Sequence, residues 1–159
     1  MADNRNLDSR PNAWMLDFGG AFRAAVGARV LVQIVDRPRL HPVPCTPPHC
    51  QSIYAWQGRL MPVVDVAVLL GREPQEPRLL AIAAYQEHAG DTVTFGALLL
   101  SAPPVAIIVG NEQACSLPDY PEAWERFSLS CFGHQGEAIP VLHLGRLFAG
   151  PAAGASDRR

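Results

Sequence analysis

Apolar residues come in short runs along this chain, each cut off after a few positions by proline, glycine or a charged pair, which is the signature of β-strands rather than of helices. Trp14 to Phe18 predicts an opening strand, Gly19 and Gly20 a turn, and Phe22 to Val26 the next strand. Val30, Val32, Ile34 and Val35 form a β-branched run that Asp36, Arg37 and Pro38 bring to an end. Leu79 to Tyr85, Val93 to Leu100 and Val105 to Val109 predict further strands, separated by the polar stretch Glu87 to Asp91 and by a corner at Ser101 to Pro104. Tyr120 to Phe127 reads as one or two helical turns, with Pro121 at the first helical position. With 15 prolines and 13 glycines, long helices are not expected.

The strongest pattern is a repeat. Residues 53–71, IYAWQGRLMPVVDVAVLLG, return 78 positions later as residues 131–149, CFGHQGEAIPVLHLGRLFA. Gln57 and Gln135, Gly58 and Gly136, Pro62 and Pro140, Val63 and Val141, and Leu69 and Leu147 are identical pairs. Each copy predicts strand, tight turn, strand and a helical turn. In the first, Ile53 and Ala55 face one side of a strand while Tyr54 and Trp56 face the other. Gln57, Gly58 and Arg59 make the hairpin, with Gly58 supplying a positive φ. Pro62 marks a strand edge or bend. Asp65 is placed to cap a helical turn over Val66 to Leu70, and Gly71 to end it. His143 stands in place of Asp65 in the second copy, so a weaker cap is expected there. A unit built twice implies two similar halves packed together: an all-β fold of two small barrels, closed so that few edges remain, with short helical turns.

Length and composition narrow the function. The 159 residues suit a single domain over 13–149, with loose tails at 1–12 and 150–159. A charged fraction of 18% and a net charge of −2 supply no basic field for nucleic acid. All thirteen cations are arginine, which excludes a P-loop lysine, a lysine Schiff base and a Ser-x-x-Lys nucleophile. The polar N-terminus lacks the apolar core of a secretory signal, and a cytoplasmic location follows. The uncharged stretch Thr92 to Gly110 has the length of a membrane span, but Pro103 and Pro104 at its middle favour two buried strands over membrane insertion. His41, Cys45, His49 and Cys50 are zinc-type ligands at a spacing that matches no common site, with Pro42, Pro44, Pro47 and Pro48 stiffening the chain between them. A metal or thiol module built on these four is the alternative function. Neither a metal nor a disulfide is expected at Cys45 and Cys50. His134, His143, Glu137 and Asp65 are the groups an enzyme would have to gather, and they read better as loop and cap residues.

At this point the sequence resembles the CheW family of adaptor domains from bacterial chemosensory arrays. Ser52 to Val66 is similar to the family's Gly-x-x-Asn-Leu-Arg-Gly turn with its following Ile-Pro-Val and Asp-Leu. LVQI at Leu31 to Ile34, RLHPVP at Arg39 to Pro44, TFGALLLSAPPVAII at Thr94 to Ile108 and GHQGEAIPVLHLGRLF at Gly133 to Phe148 resemble its other segments. The resemblance runs from Trp14 to Phe148. It implies two five-stranded SH3-like barrels around a shared apolar core, no catalysis and no cofactor. It also implies two partners: a methyl-accepting chemoreceptor and the regulatory domain of a CheA-type histidine kinase. Gln33, Tyr54, Trp56, Gln57 and Arg59 become the expected partner-binding residues, and Gly58, Pro62, Asp65, Gly71, Gly136 and Pro140 the residues that shape turns and caps. The chain departs from the family where Gln57 replaces an arginine, Ala55 and Trp56 replace asparagine and leucine, Gln33 replaces a glutamate, and Leu100 and Ser101 replace a Val-Asp pair. The charged pair thus becomes two amides, which are expected to lie within reach of each other directly or through one water. A specialised adaptor, serving pilus rather than flagellar motility, fits these changes equally well.

Overall fold

The computed structural model describes residues 10–149. Residues 1–9 and 150–159, which hold most of the expected tails, lie outside the described residues; of the expected tail over 1–12, Asn12 is tied down by hydrogen bonds to Ile107, Val109 and Ala28. Two sheets make the fold. The first contains β1 (Ala13–Asp17), β2 (Arg23–Gly27), β9 (Ala102–Ile107), β10 (Ser128–His134) and β11 (Glu137–Leu142), in the order β10-β11-β2-β1-β9. The second contains β3 (Leu31–Asp36), β4 (His41–Pro42), β5 (Ser52–Trp56), β6 (Arg59–Val64), β7 (Leu79–Tyr85) and β8 (Thr94–Leu100), in the order β3-β7-β8-β6-β5-β4. Three short helices punctuate them: α1 (Val66–Leu69), α2 (Ala123–Phe127) and α3 (Leu144–Phe148).

The repeat sets the topology. Hairpin β5-β6 with α1 and hairpin β10-β11 with α3 hold corresponding places, and each joins the rest of its sheet through a parallel contact at the same repeat position, Val63 opposite Ala97 and Val141 opposite Ala25. Continuing outward, β8-β7-β3 in one sheet answers β2-β1-β9 in the other. The chain reaches these places in different order. It lays down two strands of the first sheet, completes the second, and returns to finish the first, so no single cut separates the sheets.

Strand alternation divides the interior in three. Leu16, Phe18, Ala24 and Val26 from the first sheet meet Val64, Ala81, Ala83, Leu98 and Leu100 from the second in a shared core, closed off by Trp124, Leu142, Leu144 and Leu147. The opposite faces fill a smaller core within each sheet's own curl. Met61, Val63, Leu80, Ile82, Ala97 and Leu99 fill one. Ala13, Ala25, Ile107, Phe132 and Ile139 fill the other. Because β7 and β8 are buried on both faces, LLAIAAY and TFGALLL read as continuous apolar runs instead of alternating ones.

The all-β class stands, but the closed barrels do not: both sheets are open at the backbone level. Prolines account for it. The edge strand β9 carries Pro103 and Pro104, and the edge strand β4 carries Pro42, so neither can donate a full second ladder. The corner expected over Ser101 to Pro104 shrinks accordingly. Only Ser101 separates β8 from β9, and the proline pair runs inside the edge strand. The residues 92–110 therefore form two strands, but only β8 is the buried strand expected and the edge strand β9 is largely exposed; no helix among the described residues is long and apolar enough to cross a membrane. The helix expected to start at Pro121 begins at Ala123. Pro121 contributes the carbonyl that accepts from Trp124 N at 3.2 Å, ahead of the helix proper.

Candidate partner-binding surface

The β5-β6 hairpin turns through two residues, Gln57 (φ 47°) and Gly58 (φ 73°), between the paired residues Trp56 and Arg59. Two successive positive φ values give the turn whose twist matches a right-handed ladder. Gln135 (φ 50°) and Gly136 (φ 80°) repeat it between His134 and Glu137. Arg59 is thus the first residue of β6 rather than part of the turn. Pro62 and Pro140 lie opposite Ile53 and Cys131, and in each sheet the parallel pairing starts only after the proline, at Val63 and Val141. That is the bend the sequence implies.

The hairpin delivers its inner-face side chains to the rim of the small core of the second sheet. Tyr54 and Trp56, half-buried, pack there beside Val35, Leu40 and Phe95. The Trp56 and Phe95 rings lie 5.4 Å apart at 50°, and the Arg59 guanidinium sits 4.9 Å from the Phe95 centroid. The indole Nε1 of Trp56 donates to Gln33 Oε1 at 3.0 Å. This bond reaches from β5 to the edge strand β3, so side chains connect two flanks that the backbone leaves unpaired. Leu60 is 70% exposed and Val93 44% exposed, and together with Arg59, Met61, Thr94 and Phe95 they line a groove of about 280 Å³.

Four of the expected partner-binding residues, Gln33, Tyr54, Trp56 and Arg59, therefore meet around one rim. Gln57 stands exposed in the turn beside it. Of the contact expected between Gln33 and Gln57, only the direct form is addressed by the hydrogen bonds. Among the described residues no hydrogen bond joins the two amides, and Gln33 takes the Trp56 indole instead. Gln57 lies beyond the last ladder pair, whereas Trp56 occupies the inner face nearest to β3. Phe95, Leu60 and Val93 belong to the rim and were not foreseen; Phe95 reads in the sequence only as one more apolar residue of a buried run.

Asp65 does more than cap a helix. Its Oδ1 accepts from Ala67 N at 3.1 Å and from Gln75 Nε2 at 2.9 Å, and its Oδ2 accepts from Gln75 N at 2.8 Å, all at 7% exposure. Gly71 (φ 79°) ends α1: Gly71 N donates to Val68 O at 3.0 Å and Arg72 N to Ala67 O at 2.9 Å, the two bonds of a left-handed C-terminal cap. In the second copy His143 Nδ1 accepts from Arg146 N at 3.2 Å, a single bond where Asp65 makes three. Each side chain thus caps its own helix with one bond, and Asp65 differs in also holding Gln75.

The groups an enzyme would need stay apart. His134 and Glu137 face each other across the second turn, Glu137 lies 3.8 Å from Arg23, and Asp65 and His143 cap different helices. Asp65, Glu137 and His143 border three different surface cavities. His41 lies in β4, Cys45 is exposed at φ 59°, and His49 and Cys50 are half-buried. Among the described residues no three His, Cys, Asp or Glu side chains gather as a metal site. Burial, with the Arg126 guanidinium second, holds the His49 imidazole below its ordinary pKa, and burial raises the Cys50 thiol.

A two-sheet fold with twin hairpins and an aromatic rim is the frame for the comparisons: residues 20–95 match the family model of the CheW-like domain. The match covers β2 to β7 entirely and includes the rim hairpin, while the second hairpin lies beyond it. Among solved structures, the chain is similar to the scaffolding protein TtCheW from Thermoanaerobacter tengcongensis, with a TM-score of 0.71 at 15% identity over 89% of this chain and 94% of that one. The fold likeness therefore extends across both sheets. No curated protein sequence matches the chain.

Proposed function

We propose that the chain is a non-catalytic, cytoplasmic adaptor of bacterial chemosensory signalling, coupling a methyl-accepting chemoreceptor to the regulatory domain of a CheA-type histidine kinase. The observation that carries this reading is the rim of the second sheet on a CheW-like fold. There an arginine spread over Phe95 is flanked by exposed Leu60 and Val93, with no nucleophile and base brought together nearby. Aromatic rings and arginine are the residue types that anchor protein interfaces, and a neutral surround of Gln33 and Gln57 makes such a contact less dependent on salt than an ion pair.

The test is a calorimetric titration of the full chain with two partners from the same organism: the regulatory domain of the kinase and the signalling tip of the receptor. Saturable binding to at least one is expected, weakened about tenfold or more by Arg59→Ala combined with Leu60→Ser, since truncating an interface anchor costs upwards of about 1 kcal/mol. Gln33→Glu with Gln57→Arg is expected to raise affinity for the chemosensory kinase or receptor of a standard flagellar system. Absence of binding to both natural partners overturns the proposal.

A further inference from the structure

Cys115 and Cys131 are 16 residues apart in sequence, and their sulfur atoms are 3.3 Å apart in the fold. Backbone pairing puts them there. Ala114 bridges Phe132 in antiparallel fashion, and Cys115 N donates to Cys131 O at 3.0 Å, so the two cysteines are cross-strand neighbours at the edge of the first sheet. The repeat gives the arrangement its logic. Cys131 occupies the position of Ile53, and β4 lies against Ile53 through His41 just as the Ala114–Cys115 segment lies against Cys131. The edge segment is therefore a built element of the pseudo-symmetric fold. Cys115 is exposed to solvent, whereas Cys131 is buried at 5% exposure. Cys45 and Cys50 have no comparable thiol neighbour among the described contacts.

We propose that Cys115 and Cys131 are a reversible redox-modification site, converted to an intramolecular disulfide by exchange with a low-molecular-weight disulfide of the glutathione type. In the first step the Cys115 thiolate attacks one sulfur of the small disulfide. A Cys115–small-thiol mixed disulfide forms, one small thiolate leaves, and it takes up the proton that Cys115 lost. In the second step Cys131 sulfur, as thiolate, attacks Cys115 Sγ; the Cys115–Cys131 bond forms, the second small thiolate leaves, and it takes up the Cys131 proton. The protein loses two protons and two electrons, and the small disulfide is reduced to two thiols. Exposure assigns Cys115 the first step, and the 3.3 Å separation assigns Cys131 the second. Burial, and next the hydrogen bond with Cys115, push the Cys131 thiol up to about 12, so the second step is the slower one. The product ties the segment after the turn Asn111–Gln113 covalently to β10.

The experiment uses the full chain, reduced, freed of reductant and incubated with oxidised glutathione. Free thiols are counted under denaturing conditions, and peptides are mapped without reduction. Two of the four thiols should disappear together, a Cys115–Cys131 cross-linked peptide should appear, and dithiothreitol should restore all four. Cys131→Ser should stop at a glutathione adduct on Cys115, and Cys115→Ser should leave Cys131 unmodified. Persistent glutathione adducts on the wild-type chain without a cross-link, a cross-link involving Cys45 or Cys50, or four unchanged thiols would each overturn the proposal. The wild-type mapping decides even if a variant misfolds.

Discussion

Asp65→Ala should be a strongly damaging change among the described polar residues, and its cost can be built up from the bonds it removes. The carboxylate holds the first turn of α1 through Ala67 N, and it holds the proline-flanked segment after α1 through Gln75 N and Gln75 Nε2. Losing an N-terminal cap costs about 1 kcal/mol. Each hydrogen bond to a charged acceptor is worth about 1.5 kcal/mol at the low end, but Gln75 is only partly buried and its donors can turn to water, so the two together contribute about 1–3 kcal/mol. The expected loss is about 2–4 kcal/mol, equivalent to roughly 5–15 °C in Tm for a chain of this size. Asp65→Asn keeps one acceptor oxygen for the cap and should cost about half as much. His143→Ala provides the internal control. It removes one exposed bond at the corresponding place in the repeat and should cost only about 0.5–1 kcal/mol. Urea unfolding of the three variants, followed by tryptophan fluorescence, checks the ordering. If His143→Ala costs as much as Asp65→Ala, or if Asp65→Ala falls within about 0.5 kcal/mol of wild type, the assignment of Asp65 as a three-way anchor fails.

A Cβ at Gly96 would enter the space of the Phe148 ring, which is itself stacked on Tyr85 at 5.3 Å, so Gly96→Ala should destabilise by about 1–3 kcal/mol; thermal unfolding tests it, and an unchanged Tm would mean that α3 yields freely. The Gln33–Trp56 bond should appear as a coupling of about 0.5–1.5 kcal/mol in a double-mutant cycle of Gln33→Ala and Trp56→Phe, and additive effects would remove it from the account. His49 has its pKa lowered in the fold, first by burial and then by Arg126, so the unfolded chain binds more protons just below the ordinary value of about 6.5. Its contribution to stability is present above that value and is lost as pH falls through the window beneath it. Urea midpoints between about pH 7.5 and pH 5.5 should fall further for wild type than for His49→Gln, and parallel curves would refute the assignment.

How much of this was legible in the sequence follows from the range of the interactions involved. The hairpins, their turns and the two caps depend on residues within a few positions of one another, and the repeat states them twice. Gln57-Gly58 and Gln135-Gly136 announce the turns, and Asp65 and Gly71 bracket a helix of the expected place and length. Strand existence was equally readable, since both faces of β7 and β8 are buried and their apolar runs are unbroken. What escaped was pairing across distance. Whether a sheet closes depends on whether its two edges can both donate, and a proline pair reads locally as a corner, although on an edge strand its missing N–H groups have no ladder to interrupt.

The rim shows the same limit in side chains. A pairing of Gln33 with Gln57 by analogy with a charged pair takes account of two positions only. The fold introduces a third residue, because Trp56 stands where the resembled family has a smaller apolar side chain, and its indole N–H reaches Gln33 from the inner face of β5. The indole nitrogen can only donate, and with tryptophan at this strand position the Gln33 oxygen is the acceptor it takes. Beside it, Arg59 lies over Phe95 and Gln57 stands exposed at the tip of the turn. The three departures at Gln33, Trp56 and Gln57 are thus one coupled change. They replace two charged positions with amides, one of which anchors an aromatic ring by a neutral hydrogen bond.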